Sequence, residues 1–443
     1  MVRDGKPYLA AAYGYADLQS KTRAGRNTGY YIASSTKSYT GLACAILASR
    51  GLLDLDAPIT KYLPEVKMAP PLDANTVTLR KLLTHTSGIG NDGIVFRTAF
   101  SGEHTPELLV SLLNLSKPAK PGFQYDNLGY VVASLVIERV TGRPWQKVLD
   151  ETVFAPLGMH RTTAYMSEAK QWPMVTPYDV NRMAELEPVT LIKSDQMMHA
   201  AGGIVTTPAD LLHWLEANIN DGRIGSRQAI PPEPFREAHR KQVDASATRD
   251  RFKAYGYGLG WYQARLDNDE VLFHLGGFRG CRAHVSFMPE RKIGVAVVTN
   301  SGGMSGTVMN FIAAAIYDRL LNKPDAFERN LATLKENLDK QRATYLADVE
   351  KRSKRPWMLK HANVAYAGIY ESPLYGTLKI EVRGEQLVAS LAHLTATLEA
   401  FTEPETARVE LVPGSGEILA FSFRDGDTAD SVKWGDDVFR RVQ

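Results

Sequence analysis

From Thr40 to Arg50 the chain reads Thr-Gly-Leu-Ala-Cys-Ala-Ile-Leu-Ala-Ser-Arg, apolar or small almost all round. A helix without a polar face is a buried one, so this segment predicts a core helix, closed by Gly51. Thr78–Leu83 reads as a short helix, and residues 128–149 as a helical pair broken at Thr141-Gly142-Arg143-Pro144. Thr207-Pro208 signals the start of a further helix, and Thr307–Leu321 reads as a long one. Between these the pattern becomes β-like: Tyr255–Tyr262, Val271–His274, His284–Met288 and Ile293–Asn300 are predicted as consecutive antiparallel strands of one sheet. Residues 165–200 show no clear period, and an irregular stretch of that length is uncommon unless it is functional, so it is assigned to the rim of a cleft.

Residues 325–355 are charged and helix-like, with Leu331, Leu334 and Leu338 at three- and four-residue spacing, ending on the basic run Lys351-Arg352-Ser353-Lys354-Arg355 before Pro356. From about Val364 short segments alternate at period two and are divided by turns such as Arg383-Gly384-Glu385 and Pro413-Gly414-Ser415-Gly416, which suits a small antiparallel β-barrel. The predicted organisation is therefore a unit over 1–322, a helical linker over 323–360 and a β-barrel over 361–443. Its fold class is α/β (α+β), an antiparallel sheet covered by helices.

Composition narrows the options. The 443 residues exceed one ordinary core, and 44% hydrophobic with 23% charged residues belong to a globular protein. The net charge of +3 comes from 52 basic and 49 acidic residues, largely interspersed, which argues against nucleic acid as a partner. Cys44 and Cys281 read as buried small hydrophobes and do not report a compartment. No window is apolar for long enough to span a membrane. Val2–Tyr8 reads as the middle of a hairpin whose leading strand is missing, which leaves room upstream for a leader carrying an export signal. With such a leader the location is the periplasm or the exterior; otherwise it is the cytoplasm. The sequence is silent on oligomeric state.

The chemistry centres on Ala33-Ser34-Ser35-Thr36-Lys37, where a hydroxyl and an amine lie one helical turn apart at a helix start. Side chains at i and i+3 share a helix face, so the Lys37 amine can reach the Ser34 hydroxyl and activate it. Two other stretches follow in order. Tyr125-Asp126-Asn127 supplies a phenol and a carboxamide at a loop-to-helix junction, and His274-Leu275-Gly276-Gly277 supplies a polar side chain and glycines that admit close approach of a substrate. His85, in Leu82-Leu83-Thr84-His85-Thr86-Ser87-Gly88, is assigned to anchoring its loop, because Lys37 already supplies a base. The ten histidines show no spacing for zinc, so no metal and no organic cofactor is expected.

These three stretches resemble Ser-x-x-Lys, Tyr-x-Asn and Lys/His-x-Gly of the serine β-lactamase and penicillin-binding-protein superfamily. Leu82–Gly88, Pro156-Leu157-Gly158-Met159 and Ala201–Leu211 are similar to markers of its class C branch, which includes D-aminopeptidases, D-alanyl-D-alanine carboxypeptidases and family VIII esterases. The resemblance covers roughly residues 1–320 and implies the transpeptidase-like sheet with an all-helical subdomain. The ending Trp434–Val442 resembles the lipocalin-like domain appended to some peptidases and peptide cyclases of the superfamily, which caps the catalytic domain, mediates dimerisation or lines the cleft.

The resemblance implies acyl-enzyme chemistry on a small-molecule or peptide substrate. Ser34 is the nucleophile and Lys37 the first choice of base, with Tyr125 relaying the proton, its phenol lowered by the nearby cation. The N–H groups of Ser34 and Gly277 form the oxyanion hole. Asn127, His274 and Gly276 bind substrate, Asn127 through a carbonyl and His274 through the Tyr125 region or a carboxylate. Class C β-lactamases carry Lys where this chain has His274, which points away from efficient β-lactam hydrolysis and toward uncharged esters. The favoured reading is an ester or amide hydrolase; a transacylase or peptide cyclase, and a non-catalytic penicillin-binding module, are the alternatives.

Overall fold

Helix α1 (Thr36–Ser49) is buried from Thr36 to Leu47, as its lack of a polar face requires, and it leaves directly from the tight turn Ala33–Ser35. The computed structural model to which it belongs describes residues 1–181, 183–323, 325–424 and 426–442. Helix α2 (Leu128–Thr141) packs beside α1, buried from Leu128 to Ile137, and stops at Gly142, whose left-handed φ of 68° ends it before the short helix Trp145–Leu149. With the short helices between residues 79 and 113 they make an all-helical layer. Helix α3 (Pro208–Ile219) starts where Thr207 Oγ1 accepts from Asp210 N at 3.2 Å.

The main sheet has eight strands: β1 (Val2–Arg3), β2 (Lys6–Pro7), β3 (Val243–Arg249), β4 (Phe252–Tyr257), β5 (Tyr262–Leu266), β6 (Asp269–Phe278), β7 (Cys281–Met288) and β8 (Ile293–Thr299), in the order β3-β4-β5-β6-β7-β8-β1-β2. Every pairing is antiparallel. Helix α4 (Ser305–Leu320) covers one face, where Ala313 and Tyr317 join Phe252, Tyr257, Phe273 and Val295. Trp214, Leu215, Trp261 and Phe287 belong to the core on the other face.

Two features depart from the sequence reading. Tyr255–Tyr262 is not one strand: the chain turns between Tyr257 and Tyr262, which pair with each other across β4 and β5. The turn presses on α1. Gly260 has φ 87°, and a Cβ there would sit 2.5 Å from Lys37 O, so glycine is required. The second departure is β3, which the sequence reading missed because Val-Asp-Ala-Ser-Ala-Thr-Arg carries a weak apolar alternation; it pairs with β4 across an irregularity between Asp244 and Ala247.

Helix α5 (Asp325–Ser353) is the expected charged helix of 29 residues. It docks on α4 through Leu334, which is buried, and through Phe327, whose ring lies 5.6 Å from that of Phe311. Beyond it come β9 (Gly368–Ser372), β10 (Gly376–Arg383), β11 (Gln386–Leu391), β12 (Leu394–Thr397), β13 (Glu399–Ala400), β14 (Thr406–Val412), β15 (Ser415–Ser422), β16 (Ser431–Trp434) and β17 (Asp437–Arg441). In the order β12-β11-β10-β9-β17-β16-β15-β14-β13 they curl into a nearly closed antiparallel barrel, with β12 against β14. Tyr370, Leu378, Val409, Leu419, Val432 and Phe439 fill it. The barrel sits on the segment 92–102 of the helical layer. There Arg97 Nε donates to Leu374 O at 2.6 Å, and the Phe96 ring lies 5.6 Å from both Tyr375 and Trp434.

Candidate active site

Ser34 sits on the turn that opens α1, directly after Ala33, whose φ of 45° is left-handed and strained for a residue with a side chain. The strain has an evident support. Gly276 of β6 lies so close that a Cβ there would fall 1.9 Å from Ile32 O, and only glycine lets the strand pass the turn. Ser34 and the Gly276-Gly277 segment are thereby held side by side.

Lys37 is fully buried. Its Nζ lies 2.7 Å from Asn127 Oδ1, 3.0 Å from Ala201 O and 3.4 Å from Ser34 Oγ. Burial brings its pKa down to about 7, against a smaller raising effect of Asp126. An amide oxygen and a carbonyl can only accept, so in the neutral amine they take the two N–H groups and leave the lone pair toward the Ser34 hydroxyl. Ala201 is a contributor that the sequence reading missed, because a backbone carbonyl leaves no mark in residue identity. Its segment is tied to α1 twice more, by Thr40 Oγ1 donating to Ala200 O at 2.7 Å and Ile204 N donating to Thr36 Oγ1 at 3.1 Å.

Tyr125 lies beside this pair, with its ring centroid 4.8 Å from Lys37 Nζ. It keeps 42% of its surface exposed, while desolvation of its hydroxyl end pushes its pKa up, opposed by a hydrogen bond with Ser34. The direction is the reverse of the lowering expected from a nearby cation, because desolvation is the largest effect on the phenol. The loop carrying Tyr125 is pinned by His85, in the anchoring role assigned to it. His85 Nδ1 accepts from Asp126 N at 3.3 Å, His85 O accepts from Gln124 N at 2.8 Å, and its ring lies tilted against that of Tyr125 with centroids 4.6 Å apart. Asn127 commits Oδ1 to Lys37 and keeps its amide nitrogen as a donor.

His274 is 1% exposed. Its Nδ1–H donates to Leu275 O at 2.7 Å, which leaves Nε2 to accept from Tyr257 Oη at 3.2 Å. Burial, and then the Lys37 charge, hold its pKa far below the ordinary value, so the ring is neutral. It lines the cleft without a free nitrogen. Cationic groups are nevertheless present in the same cleft of about 560 Å³, which is lined by Ser34, Tyr125, Tyr262, Gly277, Arg249 and Arg282 among others. The Arg282 side chain lies over Gly277, where a Cβ would meet its Cδ and Nε at 3.6 and 3.7 Å. Its Nη1 donates to Cys281 O at 2.9 Å. Arg249 is near enough to Tyr125 and Tyr262 to lower the pKa of both phenols, though by less than burial raises them. Both arginines escaped the sequence reading, since they belong to no motif and meet only through the sheet.

One edge of β6 completes the cleft. β5 pairs with β6 only as far as Tyr262 with Phe273, so the residues from His274 onward have no strand partner on the side of Ser34 and Tyr125, while their other edge pairs with β7. Among the described residues, no group of three or more His, Cys, Asp or Glu side chains gathers as metal ligands would.

A family model described as Beta-lactamase matches residues 1–318. Over 306 residues the chain is 28% identical to Protein flp of Staphylococcus aureus, covering 68% of this chain and 58% of that protein, so it spans little more than half the length of that relative. The octameric penicillin-binding protein homologue from Pyrococcus abyssi superposes with a TM-score of 0.62 over 99% of this chain and 94% of that one at 22% identity, a likeness of fold. The D-amino acid amidase from Ochrobactrum anthropi SV3 superposes with a TM-score of 0.57 at 26% identity, over 69% of this chain and 89% of that one.

Proposed function

Because the chain belongs to the Beta-lactamase family, we propose that it is a serine hydrolase that cleaves an ester or amide, a D-amino acid peptide or small ester, through an acyl-enzyme on Ser34. The observation that carries the reading is the Lys37 amine, with two N–H groups taken by obligate acceptors and its remaining valence toward Ser34 Oγ at 3.4 Å.

Lys37 Nζ takes the Ser34 proton as Oγ bonds to the carbonyl carbon, and the oxygen of the tetrahedral intermediate is held by the Ser34 and Gly277 N–H groups. On collapse the bond to the leaving group breaks. The Tyr125 hydroxyl gives that group its proton and recovers one from the Lys37 ammonium. Water, or an amine, then resolves the ester by the same path reversed. With its pKa raised, Tyr125 stays a protonated relay and Lys37 is the base. The unpaired edge of β6 offers backbone hydrogen bonds to an extended acyl group, and the Asn127 amide nitrogen offers one more donor. Arg249 and Arg282 supply the positive charge that neutral His274 lacks, for the carboxylate of a substrate bound across Gly277.

The test is intact-protein mass spectrometry after incubation with p-nitrophenyl butyrate and a D-amino acid p-nitroanilide. The wild-type chain gains the acyl mass on Ser34, and Ser34→Ala keeps its fold and gains none. An adduct on Ser34→Ala would sink the assignment.

A further inference from the structure

Lys193, in the irregular stretch after the hairpin strand Leu186–Pro188, is a second buried lysine and has no part in the chemistry above; no described residue of 165–200, assigned from the sequence to a rim, lines the cleft of Ser34. Its ammonium donates to Ala99 O and lies 4.2 Å from the ring centroid of Phe278, 5.2 Å from that of Phe100 and 5.9 Å from that of Tyr31. Burial alone brings its pKa down to about 7, with no carboxylate opposing it. Below that pH the amine is a cation set against aromatic faces and a carbonyl, an arrangement that binds the rings together.

Each ring belongs to a different part of the site. Tyr31 lies in the strand Tyr30–Tyr31 that leads into the Ser34 turn. Phe278 follows Gly277 at the end of β6. Phe100 belongs to the turn Arg97–Ser101, and it stacks on Phe278 at 6.2 Å with 22° between the planes, while Tyr31 meets Phe278 edge-on at 5.5 Å. The same 97–101 turn seats the barrel, since Arg97 donates to Leu374 O and Phe96 packs on Tyr375 and Trp434. A continuous run of contacts therefore leads from the barrel through residues 96–100 to Lys193, Phe278 and Gly277.

We propose that Lys193 is a positioning residue: gripped by Phe278, Phe100 and Tyr31, it holds the Gly277 end of β6 in place beside Ser34 and ties that placement to the seat of the barrel. Its catalytic consequence rests on the serine-hydrolase reading; its structural half does not. Lys193 is not among the cleft-lining residues, so it acts from behind the strand. The titratable groups around it are Tyr31 and Cys281 in one apolar cluster, Arg97 on the facing turn, and His199, whose pKa is lowered by burial and then by Lys193, Lys37 and His104.

The experiment measures amide hydrogen exchange over residues 274–280, with kcat and KM on an ester, in the full chain at pH 6.5 for wild type, Lys193→Met and Lys193→Arg. In Lys193→Met, exchange at Gly277 and Phe278 rises about tenfold, kcat falls about tenfold and KM stays within about twofold. Lys193→Arg, which keeps a cation that stacks on rings, restores both. Phe278→Leu, the second variant, reproduces the exchange increase if Lys193→Met folds poorly. Unchanged exchange in Lys193→Met and Phe278→Leu overturns the inference, as does a change confined to KM, which would place Lys193 on the substrate. A wild type that acylates nothing would sink the hydrolase reading, while the exchange arm would still decide the role of Lys193.

Discussion

Two amines in this protein share one electrostatic condition and differ in everything around it. Lys37 and Lys193 are both buried, and burial is the leading cause that brings each down to a pKa of about 7. Lys37 ends among an amide oxygen, a carbonyl and a hydroxyl that bears a removable proton. Lys193 ends against three aromatic rings and a single carbonyl. A lowered pKa therefore does not identify a base. The partner at the end of the lone pair does, and only Lys37 has one.

The largest effect that could break this comparison is on acylation. Lys37→Met is expected to lower the rate of acyl-enzyme formation by about 10²–10⁴-fold, well beyond the loss expected from Lys193→Met, and stopped-flow release of p-nitrophenol would measure it. The pH dependence sharpens it further. The wild-type kcat/KM should rise through about pH 7 as Lys37 loses its proton, and Lys193→Arg should keep that limb. If the limb followed Lys193 instead, the roles of the two amines would be exchanged.

A smaller effect contrasts the buried amines with the two guanidiniums that line the cleft. Removing Arg282 or Arg249 as Gln should lower kcat/KM for a carboxylate-bearing substrate relative to its methyl ester by about fivefold, the effect of one partly screened charge. His274→Gln should leave that ratio unchanged, because the ring is neutral and its nitrogens are engaged by Leu275 O and Tyr257. A shift with His274 and none with the arginines would place the substrate carboxylate on the other side of the cleft.

Much of Lys37's setting was legible in the sequence and almost none of Lys193's. Lys37 reaches Ser34 by helical spacing, and Tyr125 and Asn127 share one loop, so local pattern suffices. Lys193 meets Ala99 across 94 residues, and rings from two further segments, a convergence that no period records. The long helices and the barrel strands were readable because each repeats its own period. The turn at Gly260 was not, since what bends it is the approach of α1 rather than a break in the apolar run.

The smallest effect concerns stability. Both lysines bind a proton more weakly in the folded chain than in the unfolded one, so between about pH 7 and the ordinary lysine range near 10.4 the unfolded state holds more protons. Stability should therefore rise with pH across that window, and the penalty should be fully present below it. Lys193→Met should remove about half of this dependence, the share of one of two equal shifts. Melting temperatures at pH 6.5 and 9 in both proteins would test this, and an undiminished slope would mean that Lys193 titrates normally.

The contact between Gly276 and Ile32 O has a consequence for how the molecule comes into being. Ser34, the proposed nucleophile, is made well before the strand that packs against its turn, which emerges from the ribosome more than two hundred residues later. Gly260, which packs on the α1 helix, comes as late, and Ala201, which accepts from the Lys37 amine, comes 164 residues after that lysine. Until then Lys37 is in water, protonated and useless as a base. Such long-range closure folds slowly, and on the serine-hydrolase reading it leaves the nascent chain with a serine that has no base. The reagent and its safety catch are the same set of contacts.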